Sequence, residues 1–181
     1  SPLSQAKNLS GGANLLVHLR RYPEALQQGL QIITETTRRF IEAARKTGIA
    51  GIFYAVQHAQ FGLLSVEEYQ TFGRPYDLQA LEPSQDMWLN MLHLHGSEVM
   101  FDLFLDYPVQ IFNWHDRESY PDLREGLKRL TSRQPARIAF GGIQRQTITL
   151  GDLDRLDARG ANMAVLGKAR LLDSPVLRTE E

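Results

Sequence analysis

From Glu24 to Gly48 the chain reads EALQQGLQIITETTRRFIEAARKTG, and Leu26, Leu30, Ile33, Phe40, Ile41 and Ala44 recur at the spacing that lines one face of a helix. Pro23 suits the first turn and Gly48 the stop, so the pattern predicts a long amphipathic helix. The next apolar run, IAGIFYAV, is short and rich in branched and aromatic residues, as a buried strand requires. In SVEEYQTFGRPYDLQAL, Ser65 and Glu68 form a capping-box signal for a second helix, which Gly73 and Pro75 should interrupt. The alternation continues with WLNMLHLH as strand, SEVMFDLFLD as helix, VQIFNWH as strand, YPDLREGLKRLT as helix and RIAFGG as strand. Ser97 and Tyr120–Pro121 are the helix starts this reading expects.

Strands and helices alternating at this interval argue for βαβ units, whose crossovers leave the strands parallel and the helices on the sheet faces. The expected class is α/β. Residues 152–181 are less regular, with one weak helix, an apolar MAVLG that suits a last short strand, and a charged tail. No linker or repeat divides the chain, so residues 1–181 read as one domain.

Composition narrows the chemistry. The 181 residues are 43% apolar and 23% charged with a formal net charge of −1, which gives nucleic acid or an anionic membrane no electrostatic foothold. With no cysteine, disulfides, thiolate catalysis and cysteine-ligated metals are excluded. No run approaches the ~18 apolar residues of a membrane span and no secretory signal pattern opens the chain, so a cytoplasmic location is expected.

In parallel α/β sheets and barrels, function collects where strands end at their carboxyl side. The polar residues following the apolar runs are Gln57 and His58, then His93 and His95, then Asn113, His115, Asp116 and Arg117, then Gln144 and Arg145. Period-two alternation puts His93 and His95 on one strand face and Leu92 and Leu94 on the other, and Asn113 shares a face with His115. Imidazoles around a common mouth would suit an anionic or hydrogen-bonding ligand, or a divalent cation. His93 reads equally as a hydrogen-bonded core histidine, and Asp116–Arg117 as a loop ion pair. The glycines of FGGIQR fit either a phosphate cradle or a tight turn. Zinc on His93 and His95, completed by His115, is the alternative to a metal-free pocket, the metal-free pocket being the expectation.

The ordered segments SPLSQAKNLSG, FGLLSVEEYQTFGRPY, MLHLHGSEVMFDLFLDYPVQIFNWHD and IAFGGIQRQTITLG together resemble the later part of the uroporphyrinogen decarboxylase family. The resemblance covers residues 1–151 and leaves 152–181 as a divergent, shortened end. It implies a partial (β/α)8 TIM barrel of about the last four βα units, with parallel strands inside outer helices. It further implies a cofactor-free carboxy-lyase acting on a tetrapyrrole or another small-molecule polycarboxylate in haem synthesis. In that reading His95 and His115 are the catalytic pair, donating protons or holding a carboxylate, while Gln57, His93, Asn113 and Arg145 bind substrate.

The same resemblance carries departures. The family's catalytic aspartate belongs to the earlier half of its barrel. Its pyrrole-contacting serine corresponds approximately to Gln57, the aspartate of its Gly-Asn-Leu-Asp-Pro turn to Gln144, and its late histidine falls around Lys168 to Arg170. Related members transfer methyl groups between corrinoid proteins and thiols with zinc on a His-x-Cys pair. Here His93 stands at that histidine and His95 replaces the cysteine, leaving an all-histidine variant of that centre. Two further expectations complete the reading: a cobalamin-linked methyltransferase-like protein, and a non-catalytic half-barrel that pairs as a homodimer because an open parallel sheet exposes an edge and apolar surface.

Overall fold

The computed structural model describes residues 1–134 and 136–141. Three helices precede the first strand: α1 (Pro2–Ser10), α2 (Gly12–Arg21) and α3 (Pro23–Arg45). Pro2 and Pro23 occupy first-turn positions, where the missing N–H costs nothing. Gly11, at φ 85°, makes the corner between α1 and α2 that an L side chain would resist. Only α3 was predicted as an element.

Strands β1 (Phe53–Val56), β2 (Met91–Leu94), β3 (Ile111–Trp114) and β4 (Ile138–Phe140) form a four-stranded sheet in sequential order, every neighbouring pair parallel. Between β1 and β2 lie α4 (Val66–Phe72) and α5 (Arg74–Leu81); between β3 and β4 lies α6 (Leu123–Arg133). The capping box forms as expected, Ser65 Oγ accepting from Glu68 N and Glu68 accepting from Ser65 N, and Gly73 separates α4 from α5. The observed fold is therefore α/β with a parallel sheet.

The sheet has two unlike faces. Tyr54, Val56, Leu92, Leu94, Phe112, Trp114 and Ala139 are buried against the helices, in one core with Leu30, Tyr69, Leu81, Phe104 and Leu130. Each large apolar side chain buried there contributes about 1.5–3 kcal/mol by removal from water. The opposite face carries Phe53, Ala55, Met91, His93, Asn113, Ile138 and Phe140, all half-buried or exposed. Both helical crossovers thus lie on one side, so the other side of the sheet is where polar groups can meet a ligand.

Asn90 ties the strand starts together. Its Oδ1 accepts from Ile52 N at 3.2 Å, its Nδ2 donates to Ser84 O at 2.7 Å, and its own N–H donates to Gln110 Oε1 at 2.8 Å. A fully buried amide with its groups satisfied in this way fixes where β1, β2 and β3 begin relative to one another.

Three expectations are corrected. The segment SEVMFDLFLD is not a helix and Ser97 starts none; only Phe101–Phe104 form a 3-10 turn. The backbone before it is already committed: Phe61 N donates to Glu98 O, Val99 N to Ser119 Oγ and Met100 N to Ala59 O. Helix α6 begins at Leu123 instead of at Tyr120–Pro121, because Asp122 caps it by accepting from Glu125 N at 2.8 Å. The strand expected over residues 88–95 is shorter, and Trp88 lies exposed ahead of it. Among the described residues no helix is long and apolar enough to cross a membrane. The expectations for residues 152–181 lie outside the described residues.

Candidate metal centre

The parallel register places His93 opposite Ala55 on one side and Asn113 on the other. Since side chains alternate along a strand, His93 and His95 project to the open face together with Asn113 and His115. The three imidazoles meet there: ring centroids are 5.7 Å apart for His93–His95, 5.7 Å for His93–His115 and 5.8 Å for His95–His115. One ring nitrogen from each lies within 4.8 Å of the others. Phe53 stacks on His93 at 5.5 Å and 24°, giving one side of the cluster an apolar wall.

The mouth is shaped by a tight approach. Gly96, at φ 106°, follows His95, and a Cβ there would collide with the side-chain amide of Gln60. Gln60 Nε2 in turn donates to Gln57 O at 2.6 Å. Glycine is thus favoured by conformation, and it leaves room for the Gln60 amide at the end of β2.

His93 is the anchored member. Its Nδ1 lies 2.5 Å from Asn113 Oδ1, while Asn113 Nδ2 donates to Phe140 O at 3.2 Å and Gly141 O at 3.3 Å. Burial pushes the His93 pKa below its ordinary value; the Asn113 hydrogen bond opposes this, and His115 and His95 add to it. His93 is therefore neutral at neutral pH, the form a metal ligand needs.

The donor set fits a divalent transition cation. Imidazole suits zinc, copper, nickel and iron, and three protein ligands with a fourth position open is the pattern of catalytic zinc. Zinc–nitrogen bonds of about 2.0–2.1 Å put tetrahedral donors roughly 3.4 Å apart, and the donors here lie within 4.8 Å of one another. Among the described residues no carboxylate joins the cluster, and neutral imidazoles leave the charge of a bound dication uncompensated.

The other sequence-derived candidates separate. Gln57 stands at the same sheet end, its N–H donating to Ser4 Oγ at 3.3 Å, but among the described residues no hydrogen bond joins its side chain to the imidazoles. His58 lies buried, its Nδ1 without a hydrogen-bond partner among the described residues, its pKa lowered by burial, Lys7 and the Ser1 amino group. His18 lies on α2, edge-on to Tyr22. Asp116 and Arg117 approach as an ion pair at 3.9 Å, the bland alternative of the sequence reading. Arg145 and Gln144 lie outside the described residues. Two features had no sequence signal: the Phe53 wall, and the buried Asp77, whose carboxylate accepts from the hydroxyls of Tyr54, Tyr69 and Tyr107.

No family model and no curated protein sequence matches the chain. Among solved structures, a methyltransferase from Methanosarcina mazei superposes with a TM-score of 0.72 at 17% identity, over 87% of this chain and 45% of that one. The chain spans less than half the length of that protein, and at this identity the likeness establishes the fold.

Proposed function

We propose that the chain forms part of a (β/α)8 barrel of the methyltransferase-like branch, and that His93, His95 and His115 hold a divalent transition metal serving methyl transfer to a thiol. The observation that carries this is the convergence of three imidazole donors within 4.8 Å on the open face of a parallel sheet. The structural likeness to a methyltransferase favours this branch over the carboxy-lyase one.

When bound, the cation supplies Lewis acidity at its open position, lowering the pKa of a thiol placed there so that it is available as thiolate at neutral pH. The chain's own residues do the remaining work. His93 enters neutral because burial disfavours its charged form, which leaves a ring lone pair for the cation. Phe53 stacks on one face of the His93 ring and supports its orientation. In the reaction class, sulfur forms the S–CH3 bond with its own electron pair. The pair of the broken cobalt–carbon bond stays with the corrinoid cobalt, and the thiol proton passes to solvent.

The test is metal content after dialysis, followed by demethylation of methylcobalamin in the presence of small thiols, for wild type and His115→Ala. One equivalent of retained zinc and thiol-dependent demethylation lost in the variant are expected. A wild-type chain that retains no transition metal would overturn the proposal, as would uroporphyrinogen turnover that is indifferent to chelation.

A further inference from the structure

We infer that Asn113 is a positioning residue that fixes the tautomer of His93 and so reserves His93 Nε2 as the donor of the three-imidazole centre; the metal role rests on the function proposed above. The argument begins with the capacity of a side-chain amide, which has two N–H donors and an acceptor oxygen. The nitrogen of Asn113 donates to Phe140 O at 3.2 Å and Gly141 O at 3.3 Å. Those two acceptors determine which way the amide points. Reversed, it would set Oδ1 against two carbonyl oxygens.

With Oδ1 thus directed at His93 Nδ1 across 2.5 Å, the short contact requires a proton on Nδ1. A neutral imidazole carries one N–H, so Nε2 keeps its lone pair. His93 could otherwise divide between two tautomers, of which one presents the wrong nitrogen. A hydrogen bond on the far nitrogen is the general device by which a histidine ligand is oriented and its basicity raised. Here the device crosses three strands: the ligand is on β2, the amide on β3, and the carbonyls at the end of β4.

On this inference Asn113 turns its oxygen to His93 and its nitrogen to the end of β4. It acts through His93, at one remove from whatever occupies the centre.

The experiment is nitrogen-15 NMR of the imidazoles in the metal-free protein, with zinc and cobalt(II) titrations of the same samples. In the wild type, His93 is expected as the Nδ1–H tautomer. Asn113→Ala should release that preference and weaken zinc and cobalt(II) binding by about 10–100-fold. A structural role alone would leave the tautomer where it was. A wild-type His93 protonated on Nε2, or an Asn113→Ala spectrum unchanged from wild type, would overturn the inference, and neither reading depends on the variant binding metal. Failure of the wild type to bind zinc or cobalt(II) with the Nδ1–H tautomer intact would strike the proposed function and leave the tautomer assignment standing.

Discussion

Gly126 of α6 lies so close to the indole of Trp114 on β3 that a methyl group in place of its hydrogen would stand 2.5 Å from Cζ2. The indole cannot easily retreat, because its Nε1–H donates to Pro121 O at 2.8 Å and its ring packs on Phe101 at 4.8 Å. In an unencumbered helix, replacing glycine by alanine stabilises by about 0.5–1 kcal/mol. Here overpacking should outweigh that gain. Gly126→Ala is expected to destabilise by about 1–3 kcal/mol, read as a lower urea midpoint. A raised midpoint would show that α6 can move off the sheet.

The three histidines should contribute unequally to stability and alike to metal binding. His95 is exposed and His115 half-buried, so alanine at either should leave thermal unfolding within about 0.5 kcal/mol of wild type. Each substitution, and His93→Ala, should weaken cobalt(II) binding by at least ~100-fold, the loss of one of three ligands. Absorption in the visible range follows the titration. Equal affinity in wild type and His95→Ala would exclude His95 from the ligand set.

Asp77 should make stability fall as the solution becomes less acid. Burial raises its pKa, while the hydroxyls of Tyr69, Tyr54 and Tyr107 resist the shift. An acid whose folded pKa exceeds its unfolded one stabilises fully below the unfolded value, near 4, and loses that contribution as pH rises through the folded one. The stability of wild type relative to Asp77→Asn should therefore be greatest at low pH and decline toward neutrality. Urea titrations of both at a series of pH values give the difference. Asp77→Ala, which strands buried hydroxyls, should cost about 3 kcal/mol or more.

The same cluster predicts an alkaline limit. Burial raises Tyr54, Tyr69 and Tyr107 well above the usual phenol value, with the Asp77 charge adding to the shift in each. Unfolded tyrosines ionise near pH 10, so the contribution of these three is complete below that pH and lost above it. Unfolding followed by phenolate absorbance should show these three titrating with the loss of structure.

Gly96→Ala should disturb the mouth more than the core. The substitution forces an L residue to φ 106° and displaces the Gln60 amide from over the end of β2. A loss of about 1–3 kcal/mol is expected, with weakened metal binding because His95 is its neighbour. Metal affinity unchanged alongside lowered stability would separate the loop from the site.

The common face of His93 and His95 was legible because strand alternation needs only their two-residue spacing. The meeting with His115 was reachable in principle, but the partner assignment His93–Asn113 depends on register, which the intervening sequence does not encode locally. The segment after Gly96 misled because Val99, Met100, Phe101 and Phe104 are all buried. With apolar groups facing inward throughout, periodicity carries no face. Asp77 carries no local signal of its burial, since its partners Tyr69, Tyr54 and Tyr107 stand 8, 23 and 30 residues away. Residues 1–22 hold two helices whose short apolar stripes, such as Leu15 and Leu19, are completed only by packing on α3.

Because the imidazoles are spaced along one axis by the pleat and along the other by neighbouring strands, the centre is a property of the sheet lattice and owes little to the connecting loops. Insertions between strands can accumulate without displacing a donor. One residue added within Met91–Leu94 would instead turn the imidazoles inward and bring Leu92 and Leu94 to the open face. Divergent chains that keep this centre should therefore vary in loop length and hold the strand spacing His-x-His fixed.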